Sequence, residues 1–416
     1  SFKESVNTVI VLIQRPEEKL DDYTIKFVAF KKSFEDVINA EVIKKIDKAD
    51  KPIFDDEDFR IFPKTKKELL LEGVEEPEEE GLIKDPEHLP YIGNKWGGKY
   101  LRAPEIYFKI LEKGKDKLVR LGDIAEVRRG FTTGANEFFY LKPVGMSVKE
   151  VVEIAEKNPD ALIPVRNGAG WEGEIEAEFL KPFLFSLKEV SKYQVELDLL
   201  NRLILLIPKP INSGKVHDYI KYGEKKGFNK RPSCKGRTKW YILPYQDYPD
   251  FVSNRFLGDR FGFPIISNIF VCDVFFVGKV KTTEPIQVCG LINSTLSYLS
   301  IEVISRKTYG IGVAYIYGPE INNMLLLNPY TINSTSISDI FNKLKKREIH
   351  SIFTELGFDP DKPIREQEPN PLPDRKALDD IVFDALGLTE EERKEVYWSV
   401  AELVKNRLEK AKSVKN

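Results

Sequence analysis

Apolar and polar positions along the chain divide it into unlike stretches. Val6 to Gln14 (VNTVIVLIQ) is rich in β-branched residues and predicts a buried strand, and Tyr23 to Lys31 (YTIKFVAFK) alternates and predicts a second. Phe34 to Ile46 carries an amphipathic helical pattern. Two strands and one helix cannot cover both faces of a sheet. This opening therefore predicts the edge of a larger sheet, with a small hairpin packed on the next domain as the alternative. Residues 51 to 90 are charged and punctuated by proline, with an acidic run at Glu75 to Glu80 (EEPEEE), and predict a linker or extended crossover. From about Leu118 to Pro329, short apolar runs alternate with turns bearing Gly, Asn and Pro: IAEVRRGFTTG, LILLIPKP, WYILPY and PIISNIFVCDVFFVG. A helix is predicted over Pro285 to Glu302. Beyond Pro329 the chain turns helical. Asp374 is expected to cap a helix that runs to Leu386 and stops at Gly387. Thr389 and Glu392 form a capping box for a last helix. Its stripe of Val396, Val400, Leu403, Val404 and Leu408 predicts packing back on the body. No internal repeat is visible.

The expected fold class is α+β, with four regions. They are a partial α/β sheet edge over residues 1–50, a bridge over 51–117, a mixed domain over 118–330 and a helical C-terminal region over 331–416.

Charge changes the picture only locally. The 416 residues hold 64 Lys and Arg against 66 Asp and Glu, a net charge of -2, so a nucleic-acid role must rest on segregation of charge along the chain. Cys234, Cys272 and Cys289, and likewise His88, His217 and His350, are scattered at no metal-like spacing. No metal is expected, and a histidine-based triad has little material. Reduced thiols, no signal peptide and no apolar run of membrane-spanning length predict a cytoplasmic protein with no membrane partner. The chain opens on Ser1 rather than Met, which fits a fragment.

Two segments segregate charge. In LGDIAEVRRGFTTGANEFFY, Arg128 and Arg129 precede a turn containing Gly130, Thr132, Thr133, Gly134 and Asn136, among Phe131, Phe138, Phe139 and Tyr140. Guanidinium forks suit phosphates and guanine edges, and the hydroxyls and amide can bond either. In KYGEKKGFNKRPSCKGRTKWY, Lys225, Lys226, Lys230, Arg231, Lys235, Arg237 and Lys239 interleave with Phe228, Trp240 and Tyr241, a composition suited to phosphate contact and base stacking. Arg306, Lys307 and Tyr309, before Gly310, form a smaller third set. The alternative for each is a charged, solvated surface.

The run LGDIAEVRRGFTTGANEFFYL resembles the opening of the target-recognition domain of N6-adenine DNA methyltransferases of restriction-modification type. FLKPFLFS, RPSCKGRTKWYIL, INSTLSYLSIEVISRKTYGIGVAYI and the closing PDRKALDDIVFDALGLTEEERKEVYWSVAELVKNRLEKAKS resemble the same family in the same order. SVNTVIVLIQ is similar to a late strand of its catalytic domain, and KWGGKYLRAPEIY to the bridge into the recognition domain. The resemblance implies double-stranded DNA as partner. It also implies S-adenosylmethionine as methyl donor in the parent protein, and a missing catalytic segment or a separate subunit as a further partner. The sequence departs from the family where chemistry is concerned. Its one short glycine pattern, Gly310-Ile-Gly312, follows no convincing first strand, and neither NPDAL nor EPNPL supplies the proline-aromatic loop that holds the target amine. The resemblance thus implies a DNA-binding part, inactive alone. The candidate contacts are Arg128, Arg129, Thr132, Thr133, Asn136, Lys230, Arg231, Lys235, Arg237, Trp240, Arg306, Lys307 and Tyr309. A stand-alone specificity subunit and a divalent-metal nuclease are the alternatives.

Overall fold

A three-stranded antiparallel sheet divides two hydrophobic cores. Phe275–Val280 lies at its centre, between Phe251–Asn254 and Ala125–Arg129. Successive residues of a strand point to opposite faces. Phe251 and Phe276 accordingly enter one core, while Val252, Phe275 and Val277 enter the other. Gly278 sits opposite Phe251, where a Cβ would run into the phenyl ring. The computed structural model describes residues 11–13, 22–73, 96–281, 284–308 and 312–413, and it is a mixed α+β fold.

The first core is built on a six-stranded sheet in the order Phe270–Val271, Leu180–Leu184, Arg202–Leu205, Tyr140–Pro143, Leu162–Asn167 and Glu172–Glu176. The first pair is parallel and the rest antiparallel. Ile163 and Ile175 face each other across the last pair and are both buried. The helices Val148–Lys157 and Lys215–Lys225 pack on this unit.

The second core is helical. Every residue of Thr295–Ile304 is buried, as expected of a helix surrounded on all sides. Around it pack Pro285–Ile292, Ser334–Leu344, Pro373–Leu386, Glu390–Ser413 and Glu105–Lys113. The helix predicted as one piece over 285–302 is two, because Asn293 and Ser294 turn the chain. Asn293 spends its side chain on the backbone of Phe263 and Cys289. Arg375 is wholly buried here. Its Nη2 donates to the Tyr193 hydroxyl at 2.8 Å and its Nε to Glu355 at 3.2 Å.

The last helix packs back as its stripe predicts, with Val396, Val400 and Val404 fully buried. The Thr389–Glu392 capping box is present, at 2.8 and 3.3 Å. Gly387 closes the preceding helix at φ +68°. Asp374 is not that helix's cap: Leu372 holds the position, Pro373 opens the helix, and Asp374 instead pairs with Arg347 at 2.7 Å.

At the other end, Thr24–Phe30 matches its predicted strand and pairs antiparallel with Phe59–Thr65. The linker reading is corrected over residues 51–73, which hold that strand and the helix Lys66–Gly73. The helix expected over Phe34 to Ile46 is two, Phe34–Val37 and Ala40–Lys48, because Asn39 caps the second with its side chain. WYILPY forms no strand; Trp240, Tyr241 and Leu243 are apolar because they line the first core from irregular chain. The strand predicted over Val6 to Gln14 and the acidic run at 75–80 fall outside the described residues, apart from 11–13. Among the described residues no helix is long and apolar enough to cross a membrane.

Candidate nucleic-acid interface

Where the Ala125–Arg129 strand ends, the chain turns through Gly130 and Gly134. Phe131 N bonds the Val271 carbonyl at 2.7 Å, so the backbone runs close to its neighbour. A Cβ on Gly130 would meet the carbonyl oxygens of Val271 and Cys272. Gly134 holds φ +75°, and a Cβ there would stand 2.5 Å from that of Ser233. The turn is thereby pressed onto residues 231–240.

Arg237 joins the two segments. Its Nη2 donates to the carbonyls of Thr133 at 2.7 Å and Thr132 at 3.4 Å, and its Nη1 to that of Trp240 at 3.2 Å. Arg231 grips Glu137 with both terminal nitrogens, at 2.6 and 3.3 Å, while its guanidinium lies 4.7 Å from the Phe228 ring centre. The hydrogen bond from Arg231 holds the Glu137 carboxyl below its ordinary pKa, and the same bond raises that of Arg231. The first two basic-aromatic segments of the sequence therefore form one surface.

The other candidates differ in how free they are. Lys230 and Lys235 are exposed, as is Lys239 beside them. Arg129 is exposed and leans on Asp273, with Nε 3.2 Å from its carbonyl. Thr132 is exposed, with its hydroxyl 3.5 Å from the Asp273 carboxylate. Arg128 is half-buried and bonds Gln246 and, at 2.6 Å, the Asp247 carbonyl. Asn136 is exposed at the start of a short helix and accepts from the Thr133 hydroxyl at 2.5 Å.

Burial corrects three of the sequence-based contacts. Thr133 is fully buried and caps the turn through Ala135 N at 3.2 Å. Trp240 is only 8% exposed; its ring centre lies 4.7 Å from that of Phe138, and its Nε1 donates to Glu224 at 3.2 Å. It supports the surface from below and offers no face for base stacking. Phe131, Phe138, Phe139 and Tyr140 are core residues for the same reason. Lys307 is buried in the second core against Glu302, which Arg407 also contacts at 3.1 Å. Burial pushes the Lys307 amine down to about 8, with Glu302 opposing that shift and Arg407 adding to it. Arg306 stays half-exposed, bonded to Glu320 at 2.9 Å and stacked 4.7 Å from the Tyr317 ring centre. These two residues belong to the strand Arg306–Thr308 of another sheet, and no hydrogen bond or ion pair among the described residues links them to the Arg237 surface. Tyr309 lies outside the described residues.

Sequence reading missed the acidic and amide partners: Glu137, Asp273, Gln246 and Asp247. No local pattern marks them, because each meets its arginine only through the fold.

Gly310 lies outside the described residues, and Gly312 is part of a packed turn. It takes φ +66°, a Cβ there would stand 3.0 Å from Ala411 Cβ, and its carbonyl accepts from buried Arg407. That environment does not fit a nucleotide-cradling glycine loop, which needs open space over the backbone.

Residues 186–357, under half of the chain, match the family described as the C-terminal domain of the type II methyltransferase M.Eco57I. The matched stretch contains the 228–240 segment and crosses both cores. A search of curated proteins found no match. Among solved structures, the chain is similar to the type IIG restriction endonuclease BpuSI, at 11% identity and a TM-score of 0.48. The similarity covers 93% of this chain and 40% of that one.

Proposed function

We propose that this chain grips double-stranded DNA as the recognition part of a restriction-modification methyltransferase. The observation that carries this reading is the joining of residues 128–137 and 228–240 by Arg237, with Arg129, Lys230, Lys235 and Lys239 exposed on the two joined segments. Exposed cations on a rigid support suit phosphate contact, the main source of affinity for DNA. The family match over residues 186–357 supports the same reading.

Arg129, Thr132 and Asn136 are the side chains assigned to base contact, since all three are exposed and their partners, Asp273 and Thr133, lie on the same surface. Arg128, Arg231 and Arg237 act as positioning residues. In this reading the methyl group comes from S-adenosylmethionine and goes to adenine N6, on a catalytic segment or separate subunit that takes the flipped base. No chemical step is assigned to the residues of this chain. Such a role is exercised in the cytoplasm, where buried Cys234, Cys272 and Cys289 stay reduced.

The test is duplex binding by fluorescence anisotropy with the full chain and a variant carrying Lys230→Gln, Lys235→Gln and Lys239→Gln. Binding is expected to weaken at least tenfold in the variant. Equal affinity of the two proteins for duplex sinks the proposal.

A further inference from the structure

A groove of about 360 Å³ lies where the N-terminal unit meets the helical core, lined by Trp96, Gly97, Arg102, Ser305, Arg306 and Lys307. Its charge is unbalanced. Among the described residues, Arg102, Arg306, Lys307 and Arg407 cluster with two carboxylates, Glu302 and Glu320. Four cations against two anions leave two positive charges without a counter-charge. Its donors are also unmatched. Arg102 reaches the carbonyls of Val303 and Ser305 through Nη2, both at a long 3.3 Å, while its Nε is buried and bonds nothing among the described residues. A buried guanidinium nitrogen without an acceptor is costly. Arg306 uses Nε on Glu320, and its two terminal nitrogens form no hydrogen bond among the described residues. At Gly97 a Cβ would meet nothing within 4 Å, so the groove is open above the backbone.

We infer that this groove binds a phosphate group, held by Arg102 and Arg306 with Lys307 behind them. Two guanidinium groups offer several donors to one anion, and a phosphate has enough oxygens to accept them where a carboxylate has two. Its charge matches the local excess. The volume leaves room for what the phosphate is attached to. The source is either the DNA backbone, which rests on the function proposed above, or a free phosphate, which does not. The site is distinct from the Arg237 surface, since Arg306 and Lys307 belong to another sheet than Arg129.

The experiment uses the full chain with Arg102→Gln and Arg306→Gln, and with Arg306→Lys as the charge-preserving control. Thermal shift with inorganic phosphate, at constant ionic strength against chloride, reads the free anion. Anisotropy of a labelled duplex across a salt series reads DNA, where loss of one phosphate contact lowers the slope of log K against log salt by about 0.9. If phosphate raises the melting temperature of the unmodified chain and of Arg306→Lys but of neither Gln variant, the groove takes a free phosphate. If the duplex slope drops in the Gln variants, the phosphate is that of the backbone. Phosphate binding by a chain that ignores duplex would sustain the groove while removing the proposed function. A variant that fails to fold is replaced by hydrogen exchange on the unmodified chain, where protection of residues 96–102 and 304–307 by phosphate or duplex is expected. No response to either probe at this groove overturns the inference.

Discussion

The Arg237 guanidinium crosses 104 positions of sequence to donate to the Thr133 carbonyl at 2.7 Å. This contact lets two basic segments that are far apart in the chain act as one surface. Its partners are backbone carbonyls, so it fixes the path of the chain and does not merely balance charge.

Replacing Arg237 with Gln should therefore cost both stability and binding. The carbonyls of Thr133 and Trp240 lose their donor, and each buried acceptor left unpaired costs about 1–3 kcal/mol. A lower denaturation midpoint and a weaker duplex complex are expected together. A variant as stable as the parent that still binds DNA equally would show that the clasp is incidental.

Arg231→Gln should behave differently. Its bond to Glu137 lies on a partly exposed surface, where such pairs contribute about 0–1 kcal/mol. The melting curve should hardly move, while the loss of a cation should lower duplex affinity several-fold. A large destabilisation on calorimetry would show that Arg231 is structural.

The helical core predicts two acid transitions of opposite sign. Burial disfavours ionised Glu355, but the Arg347 bonds and the charges of Arg375 and Arg347 prevail and hold it at about 2, below the ordinary 4.5. Its contribution is full above the unfolded value and is lost as pH falls from 4.5 towards 2. Asp379 is raised by burial from 3.8 to about 6, although Arg375 and Thr295 oppose that shift. The folded state favours its protonated form, so its contribution to stability grows as pH falls from 6 to 3.8. Urea unfolding across pH should show Asp379→Asn flattening the upper window and Glu355→Gln the lower one. Glu355→Gln should also cost about 3–5 kcal/mol at neutral pH, because it leaves Arg375 buried without its carboxylate. An unchanged pH profile in either variant would remove that group from the account.

Gly278→Ala should disrupt the shared sheet, since a Cβ there would enter the Phe251 ring. Both cores use this sheet, so near-ultraviolet dichroism from aromatic residues of both should weaken together. Loss confined to one core would show that the sheet does not couple them.

Local patterns showed the elements better than their use. Alternation over Tyr23 to Lys31 and the capping box at Thr389 and Glu392 were legible because their signals lie within a few residues. Phe59–Thr65 was hidden by its charges and Pro63, which sits in a two-stranded sheet where proline is tolerated. The basic segments were legible as composition, but their union through Arg237 was not. Trp240 looked like a stacking platform because aromatic residues among lysines suit one, yet its ring fills the core. Lys307 looked like a surface cation until the fold brought Glu302 and Arg407 around it. Burial depends on contacts distant in sequence, and one chain read alone carries little of that information.

The most direct test of the DNA-gripping surface is the salt dependence of duplex affinity, measured for the unmodified chain and for the triple Lys230, Lys235 and Lys239 to Gln variant. Each phosphate contact contributes a slope of about 0.9 in log K against log salt, so the variant should be shallower by up to about 2.7. Parallel salt lines of equal affinity for the two proteins would contradict the account.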